Sequence, residues 1–146
     1  MGIEIEHKYL VKDNSYKESA TSKHLIIQGY LSRIPERTVR IRIFDEKGFI
    51  TVKGKNQGEI RLEFEYEIPL EDATSLLRLC LPPIIEKYRY NVPYGGFVWE
   101  IDEFLGERAG LVVGEIELPD KETQYPLPPF AGENVTGQPQ YYNSNL

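Results

Sequence analysis

The chain has 146 residues, of which 40% are hydrophobic and 27% charged, with a formal net charge of -6. This length and balance are typical of a globular domain with a substantial core, so a wholly disordered chain is excluded. The acidic charge argues against a nonspecific nucleic-acid binder or a binder of anionic membranes, and no apolar run approaches the ~20 residues that cross a bilayer.

The remaining compositional features predict one β-rich domain in the cytoplasm. The 10 Tyr and 6 Phe residues favour strands over helices. Cys80 is the single cysteine, which excludes an intrachain disulfide. The N-terminus lacks the basic and then apolar pattern of a secretory signal. We therefore expect residues 1–146 to form a single cytoplasmic domain.

The first half of the chain is predicted to consist mainly of strands. A helical turn is expected from residue 13 to about residue 23, and residues 45–48 are typical of a hairpin turn. Alternating side chains predict strands at residues 3–11, 25–33, 38–44, 49–55 and 59–68.

The second half is predicted to contain one helix and three more strands. The helix is expected at residues 71–80, with acidic residues in its first turn and Pro82-Pro83 as its stop signal. A tail rich in Pro, Gly and Asn follows the last strand, with a helical turn near residues 139–145. The strands are expected at residues 84–92, 96–105 and 111–118, the first two joined by a turn at 93–96.

Pairs of like-charged residues recur on one face of these strands. Two residues separated by one position lie about 6.7 Å apart on the same face of a strand. Like charges repel, and a solvated face would more often mix its signs, so each pair is expected to meet a ligand of opposite charge. The pairs are Glu4 with Glu6, Arg40 with Arg42, Glu63 with Glu65, Lys87 with Arg89, Glu100 with Asp102, and Glu115 with Glu117.

These charged faces predict a mainly β (α+β) fold, a closed and predominantly antiparallel eight-stranded barrel with a charged interior and helices packed outside. The alternative is an ordinary sandwich or barrel with apolar side chains inside. Arginine and lysine suit a polyanion, while carboxylates suit hard divalent cations, so the interior is expected to take a metal-bound oligophosphate. The predicted interior acids are Glu4, Glu6, Glu63, Glu65, Glu100, Asp102, Glu115 and Glu117, and the bases are Lys8, Arg40, Arg42, Lys53, Arg61, Lys87 and Arg89.

The first strand, Glu4-Ile5-Glu6-His7-Lys8, resembles the Glu-x-Glu-x-Lys signature of the CYTH superfamily, also called triphosphate tunnel metalloenzymes. The compact length is similar to that of the small bacterial members, and this implies an inorganic tripolyphosphatase with variable nucleoside triphosphatase activity. The resemblance covers essentially the whole chain and continues through Arg40-Ile41-Arg42, Thr51-Val52-Lys53-Gly54, Glu63-Phe64-Glu65, Lys87-Tyr88-Arg89-Tyr90, Trp99-Glu100-Ile101-Asp102, Gly114-Glu115-Ile116-Glu117-Leu118 and Tyr141-Tyr142-Asn143-Ser144-Asn145.

The resemblance also implies roles for individual residues. Mg²⁺ or Mn²⁺ is expected on Glu4, Glu6 and Glu117. A second cation, or the attacking water, is expected on Glu63, Glu65, Asp102 and Glu115. The expected catalytic residues are Lys8, Arg42 and Glu115. The triphosphate is expected to be bound by Lys8, Arg40, Arg42, Lys53, Arg61, Lys87 and Arg89.

Two positions depart from the small bacterial members. His7 stands where arginine is common, but alternation places it on the outer face of the first strand, so the interior should be unaffected. Gln140 stands where a basic residue is expected, which affects how the tail packs at the tunnel mouth.

Other functions are compatible with the same residues. They are a module that binds oligophosphate without cleaving it, an adenylyl cyclase, and a thiamine triphosphatase of the same superfamily. A pure anion binder has no electrostatic use for so many carboxylates, which favours the metal-dependent hydrolase. The expected partner is a small oligophosphate, with no nucleic acid and no membrane, for a monomer or a homodimer.

Overall fold

The structure is a computed structural model that describes residues 2–146. Its elements follow the alternating pattern of the sequence closely. Two α-helices, α1 (Tyr16–Ser19) and α2 (Leu70–Leu77), and three short 3₁₀ helices (Gly106–Arg108, Pro139–Tyr141 and Asn143–Asn145) occur among these residues. The strands are β1 (Ile3–Val11), β2 (Ser22–Ser32), β3 (Arg37–Phe44), β4 (Lys47–Gly54), β5 (Ile60–Ile68), β6 (Leu81–Tyr94), β7 (Phe97–Phe104), β8 (Val112–Glu117) and β9 (Ala131–Asn134).

Eight of these strands form a closed antiparallel barrel. The strand order is β5-β4-β3-β2-β6-β7-β8-β1, and β1 also pairs with β5, which closes the sheet on itself. In that closing pair Ile3 lies opposite Leu62 and Ile5 opposite Ile60. The predicted eight-stranded barrel is therefore confirmed, and β9 lies outside the closed ring as an additional strand on β1.

The largest differences from the prediction concern β9 and the region that follows α2. Strand β9 was not expected, because its sequence Ala-Gly-Glu-Asn has no alternation and its position depends on pairing with β1. Helix α2 ends at Leu77, before the predicted end, and is followed by a hydrogen-bonded turn through Cys80. The prediction that Pro82-Pro83 ends the helix was wrong, since both prolines lie at the start of β6, a position that tolerates proline.

The apolar core lies outside the barrel wall. A cluster that includes Tyr16, Tyr90, Trp99 and Phe130 fills the space between the barrel and the segments that cover β1, β6, β7 and β8. On another side α2 covers β3 and β4, where a Cβ atom at Gly48 would lie 2.6 Å from Cβ of a helix residue. Apolar outer faces leave the charged faces to line the interior of the barrel. None of the helices within residues 2–146 has the length and apolar character needed to cross a membrane.

Candidate active site in the barrel interior

The barrel encloses a charged cavity of about 210 Å³, which we call the tunnel. Alternation along each strand directs the predicted ionic side chains into it, while their apolar neighbours face outward. The tunnel is also lined by Tyr30, Thr38, Asn56, Tyr142 and Asn143, among others. The ionic residues that line it are Glu4, Glu6, Lys8, Arg40, Arg42, Lys53, Arg61, Glu63, Glu65, Arg89, Glu100, Glu115 and Glu117.

Two arginines of β3 are held in the tunnel by different acceptors. Arg42 donates to Oε1 of Gln28 through Nε at 2.9 Å and through Nη2 at 2.7 Å. Arg40 donates through Nη2 to the Thr51 hydroxyl at 3.1 Å and to a carboxylate oxygen of Glu65 at 3.2 Å. Burial and the nearby guanidinium of Arg40 lower the pKa of Arg42, although an arginine remains charged at neutral pH. Arg42 therefore keeps a positive charge that is not directly paired with any carboxylate of residues 2–146.

Arg89 is held by a carboxylate on the neighbouring strand β7. Its guanidinium donates to both carboxylate oxygens of Asp102, at 2.8 and 2.9 Å, and Lys87 lies 2.7 Å from the same carboxylate. Burial alone would raise the pKa of Asp102, but Arg89 and Lys87 outweigh it and hold this pKa far below its ordinary value. Burial lowers the pKa of Lys87 to about 7, against the opposing effect of Asp102.

Two of the predicted site residues lie outside the tunnel lining. Lys87 and Asp102 do not line the tunnel, and their exposed fractions are 0% and 1%. Both oxygens of Asp102 are already occupied by the side chains of Arg89 and Lys87. The structure thus does not support Asp102 as a metal ligand, and it places Lys87 behind the tunnel wall.

The carboxylates of β1 meet those of β5 and share a lysine. Nζ of Lys53 lies 3.1 Å from Oε1 of Glu4 and 3.1 Å from Oε2 of Glu63. Burial raises the pKa of Glu4 to about 7, against the effect of Lys53 and with a contribution from the neighbouring Glu63 carboxylate. Burial also acts to raise the pKa of Glu63, but Lys53 and a hydrogen bond from Glu4 lower it overall. The raised pKa of Glu4 therefore favours a proton on Glu4 rather than on Glu63.

A second group of carboxylates forms where β1, β7 and β8 run side by side. The strand register places Glu6 opposite Glu117, and Glu100 opposite Glu115, so like charges face each other across the sheet. Burial and the Glu115 carboxylate raise the pKa of Glu6 well above its ordinary value. Burial alone would raise the pKa of Glu115, but Lys8 and a hydrogen bond from Glu6 hold it at about 2.

Glu117 completes this second group at the tunnel wall. Desolvation and the carboxylates of Glu63 and Glu100 raise its pKa above the ordinary value. Carboxylates that face one another without an intervening base are destabilising in a sheet. The geometry therefore concentrates negative charge on one side of the tunnel, across from the arginines of β3.

The carboxylates fit a divalent cation by their chemistry. Their oxygens are the ligands that Mg²⁺ and Mn²⁺ prefer, and the raised pKa values of Glu4 and Glu6 favour protons that a cation would displace. Within residues 2–146, no three side chains of His, Cys, Asp or Glu are arranged to hold a metal ion as they stand. Lys53 instead lies against Glu4 and Glu63, so a cation bound there would have to compete with this ammonium group.

The C-terminal tail contributes to the tunnel wall. Nζ of Lys8 donates to the carbonyl oxygen of Tyr141 at 3.0 Å, and Nζ of Lys87 donates to Oδ1 of Asn143 at 2.9 Å. Gln140 instead donates to the neighbouring Gln138 side chain and does not line the tunnel. The tail therefore packs into the tunnel through side chains and carbonyls that follow position 140.

His7 lies on the outer side of the barrel, as its place in β1 predicts. Its ring hydrogen bonds to the Tyr125 hydroxyl and to a carboxylate oxygen of Glu59, and it does not line the tunnel. Histidine in place of arginine at position 7 therefore leaves the tunnel lining unchanged.

Sequence reasoning missed the neutral side chains that hold the charged ones. Gln28, with an exposed fraction of 0%, lies directly across from Arg42 in the register of β2 and β3. Strand β2 carries no like-charged pair. The one sequence signal for Gln28 is that it shares a strand face with Ile26 and Tyr30. Thr51 and Asn143 lie within the motifs of the resemblance, which imply no role for them, and both accept hydrogen bonds from predicted substrate-binding bases.

Comparison with known proteins gives consistent results. The CYTH domain profile matches residues 2–143 of the chain. The chain is 50% identical over 147 residues to an inorganic triphosphatase of Acetivibrio thermocellus, covering 100% of this chain and 94% of that protein.

Solved structures support the same relationship. The crystal structure of the inorganic triphosphatase NE1496 is similar with a TM-score of 0.71 and 27% identity, over 97% of this chain and 94% of the other. HpAC1 from Hippeastrum, a proposed adenylyl cyclase described with a dominant triphosphatase activity, has a TM-score of 0.65 and 15% identity, over 80% of both chains. At that identity the second similarity concerns the fold alone.

Proposed function

The chain belongs to the CYTH domain family, and from this premise we propose that it is a divalent-metal-dependent enzyme that hydrolyses inorganic triphosphate to pyrophosphate and phosphate. The proposal is supported most directly by one observation. Bases and carboxylates from all around a closed barrel converge on a single cavity, with the arginines of β3 held apart from the carboxylates of β1 and β8.

In this proposal the bases bind the substrate. Guanidinium groups form paired hydrogen bonds to phosphate oxygens, and lysine supplies a compact charge. Arg42 is available for phosphate, because its bonded partner Gln28 is neutral. Lys87 does not contact the substrate in this proposal. It holds Asp102 in position, and Asp102 in turn holds Arg89. The direct substrate ligands are Lys8, Arg40, Arg42, Lys53, Arg61 and Arg89.

The carboxylates bind Mg²⁺ or Mn²⁺ in this proposal. Glu4, Glu6 and Glu117 are the principal ligands, and Glu63 and Glu65 are further candidates on β5. A bound divalent ion supplies charge neutralisation for the phosphate oxygens and lowers the pKa of a coordinated water. Binding requires that any protons on Glu4 and Glu6 leave, so the affinity for metal rises with pH.

The reaction is an in-line attack of water on a terminal phosphorus atom. The new bond forms between the water oxygen and phosphorus, while the bond to the bridging oxygen breaks and its electron pair leaves with pyrophosphate. Glu115 is ionised at neutral pH and suits the role of orienting the water by accepting its hydrogen bond. Arg42 and Lys8 stabilise the negative charge that develops on the transferred group and the leaving oxygen.

Phosphate release from a panel of substrates tests the proposal. Tripolyphosphate, pyrophosphate, ATP and thiamine triphosphate are each incubated with Mg²⁺, Mn²⁺ or a chelator. We expect the fastest release from tripolyphosphate with metal and none with chelator. Arg42→Ala and Glu117→Ala should lose most of this activity, whereas the exposed residues Arg37 and Glu46 serve as matched controls when replaced by alanine. Rapid metal-free cleavage, or full activity of Glu117→Ala, would reject the proposal.

The other functions are separated by the same panel. A module that binds oligophosphate without cleaving it would retain tripolyphosphate and release no phosphate. An adenylyl cyclase would convert ATP to a cyclic product and pyrophosphate. A thiamine triphosphatase would release phosphate fastest from thiamine triphosphate.

We further propose that residues 1–146 act as a single cytoplasmic tunnel domain. Its partner is a small oligophosphate, without a nucleic acid or a membrane. The single cysteine favours a reducing compartment because the fold requires no disulfide.

A further inference from the structure

A neutral side chain of the C-terminal tail lines the tunnel with an unused hydrogen-bond donor. Asn143 belongs to the last 3₁₀ helix and lines the tunnel. Its amide oxygen Oδ1 accepts a hydrogen bond from Nζ of Lys87 at 2.9 Å and a longer one from Nε2 of Gln28 at 3.5 Å. Its amide nitrogen Nδ2 carries two protons and donates to no atom of residues 2–146.

The orientation of this amide follows from its partner Lys87. An ammonium group has three donors and no acceptor, so it can pair only with the oxygen of the Asn143 amide. Lys87 lies behind the tunnel wall with an exposed fraction of 0%, whereas Asn143 lines the tunnel. The amide oxygen is therefore held on the side of the wall, and the geometry leaves Nδ2 to face the cavity.

The tail is fixed on both sides of Asn143. Before this residue, the carbonyl oxygen of Tyr141 accepts a hydrogen bond from Nζ of Lys8 at 3.0 Å. After it, Leu146 packs against the apolar cluster that contains Phe104. A donor that is held in place before its ligand arrives loses little conformational freedom on binding. Asn143 is thus preorganised to donate into the tunnel.

A neutral donor suits this part of the tunnel because positive charge is already dense there. Burial lowers the pKa of Arg42, and the guanidinium groups of Arg40 and Arg89 lower it further. Burial also lowers the pKa of Lys87, and Arg89 and Arg42 contribute in the same direction. Another cation would add to this repulsion, whereas an amide adds a hydrogen bond without adding charge.

We propose that Asn143 binds the triphosphate directly, with Nδ2 donating a hydrogen bond to a non-bridging phosphate oxygen. The inference rests on the proposed function, which supplies the triphosphate as the ligand. The arginines then neutralise the charge of the phosphate groups, and the amide of Asn143 fixes the position of one of them. Asn143 is in this way a substrate-binding residue as well as a support for Lys87.

The first measurement needs no substitution. The full-length protein is labelled with ¹⁵N and titrated with tripolyphosphate in the presence of a chelator, so that binding is observed without the proposed metal-dependent hydrolysis. The side-chain amide signals of Asn143 should shift and reach saturation. Those of Asn145, an exposed residue of the same helix, should stay in place and serve as the internal control. Asn143 signals that do not move at millimolar tripolyphosphate would overturn the proposal.

The variant Asn143→Asp separates the donor from the support of Lys87. Aspartate has the same shape and keeps an oxygen for Lys87 and Gln28, but it cannot donate to phosphate and it adds a negative charge. Binding of tripolyphosphate, measured by isothermal titration calorimetry, should weaken by on the order of 100-fold. Asn145→Asp adds the same charge to the same helix at an exposed position and should weaken binding by less than about threefold.

The outcomes separate this inference from the proposed function. Circular dichroism and urea unfolding show whether each variant is folded, and the titration of the unaltered protein covers the case of an unfolded variant. Unchanged affinity of Asn143→Asp, or equal losses in Asn143→Asp and Asn145→Asp, would overturn the inference. If the Asn143 signals respond but no phosphate is released with Mg²⁺ or Mn²⁺, the inference stands and the proposed function fails. Hydrolysis without a response of Asn143 would reject the inference alone.

Discussion

Replacing Gln28 by methionine tests how the tunnel positions its arginines. Methionine has nearly the same length and volume as glutamine but offers no strong hydrogen-bond acceptor. Gln28 is fully buried and accepts two hydrogen bonds from Arg42, at 2.9 and 2.7 Å. The substitution therefore removes the only side-chain acceptor that the structure shows for Arg42 within residues 2–146, and it leaves the packing volume almost unchanged.

The magnitude follows from the geometry of this pair. A hydrogen bond from a charged donor contributes about 1.5–3 kcal/mol. Because both bonds to Arg42 use the same oxygen, their contributions do not add fully, and we expect the free energy of unfolding to fall by about 3 kcal/mol. A guanidinium that is free to turn also loses its alignment with the phosphate, so kcat should fall by roughly 10- to 100-fold.

The measurement combines urea unfolding with initial rates of phosphate release from tripolyphosphate. Gln28→Glu is the informative partner, because it keeps the acceptor but adds a negative charge beside Arg42. It should weaken substrate binding and raise KM, whereas Gln28→Met should act mainly on kcat. Gln124→Met, at an exposed position, is the matched control and should behave as the unaltered protein.

Two results would contradict this reasoning. If Gln28→Met retains normal stability and normal kcat, the hydrogen bonds do not position Arg42. If Gln28→Glu and Gln28→Met change kcat and KM in the same way, the neutrality of the acceptor has no function.

Three further predictions address the carboxylates and the outer core. The pKa of Glu4 is raised from 4.5 to about 7 on folding, so the metal-free protein should lose about 3 kcal/mol of stability as pH rises between these values. Added Mg²⁺ should restore the lost stability at pH 8. A thermal melt at pH 8 that Mg²⁺ does not change would contradict this prediction. Asp102→Asn removes the carboxylate that Lys87 and Arg89 share, leaves Arg89 only a longer contact to Glu100 at 3.4 Å, and should cost about 3–5 kcal/mol in urea unfolding. Glu103→Gln, at a partly exposed ion pair, should cost less than about 1 kcal/mol. Trp99→Ala should lower the free energy of unfolding by about 3–5 kcal/mol through a cavity in the outer core, and an unchanged urea midpoint would refute the placement of that core.

The pH range over which stability changes depends on whether folding raises or lowers the pKa of each carboxyl group. A carboxyl group with a raised pKa binds its proton more tightly in the folded protein, so its contribution to stability is present at low pH and is lost as pH rises through the folded pKa. Glu115 and Asp102 have lowered pKa values, and their contributions are lost below the ordinary range instead. Between pH 4.5 and 7 the raised pKa of Glu4 therefore sets the direction of the change.

Much of the fold could be predicted from local periodicity. A side-chain period of two assigns every residue of β1, β3 and β5 to one of two faces, and like-charged pairs on one face indicated that this face lies inside. The closed eight-stranded barrel and the charged tunnel followed from that pattern. Strand β9 could not be predicted in this way, because four residues without alternation carry no periodic signal.

The individual partners of the charged residues were decided only by the tertiary structure. In sequence, Asp102 and Glu115 look equivalent, since each belongs to an acidic pair on one strand face. Strand register places Asp102 across from Arg89, which occupies its oxygens, whereas Glu115 lies across from Lys8 and Glu100 and remains on the tunnel surface. Alternation reports which way a side chain points along its own strand, and the long-range pairing of strands determines what it meets there.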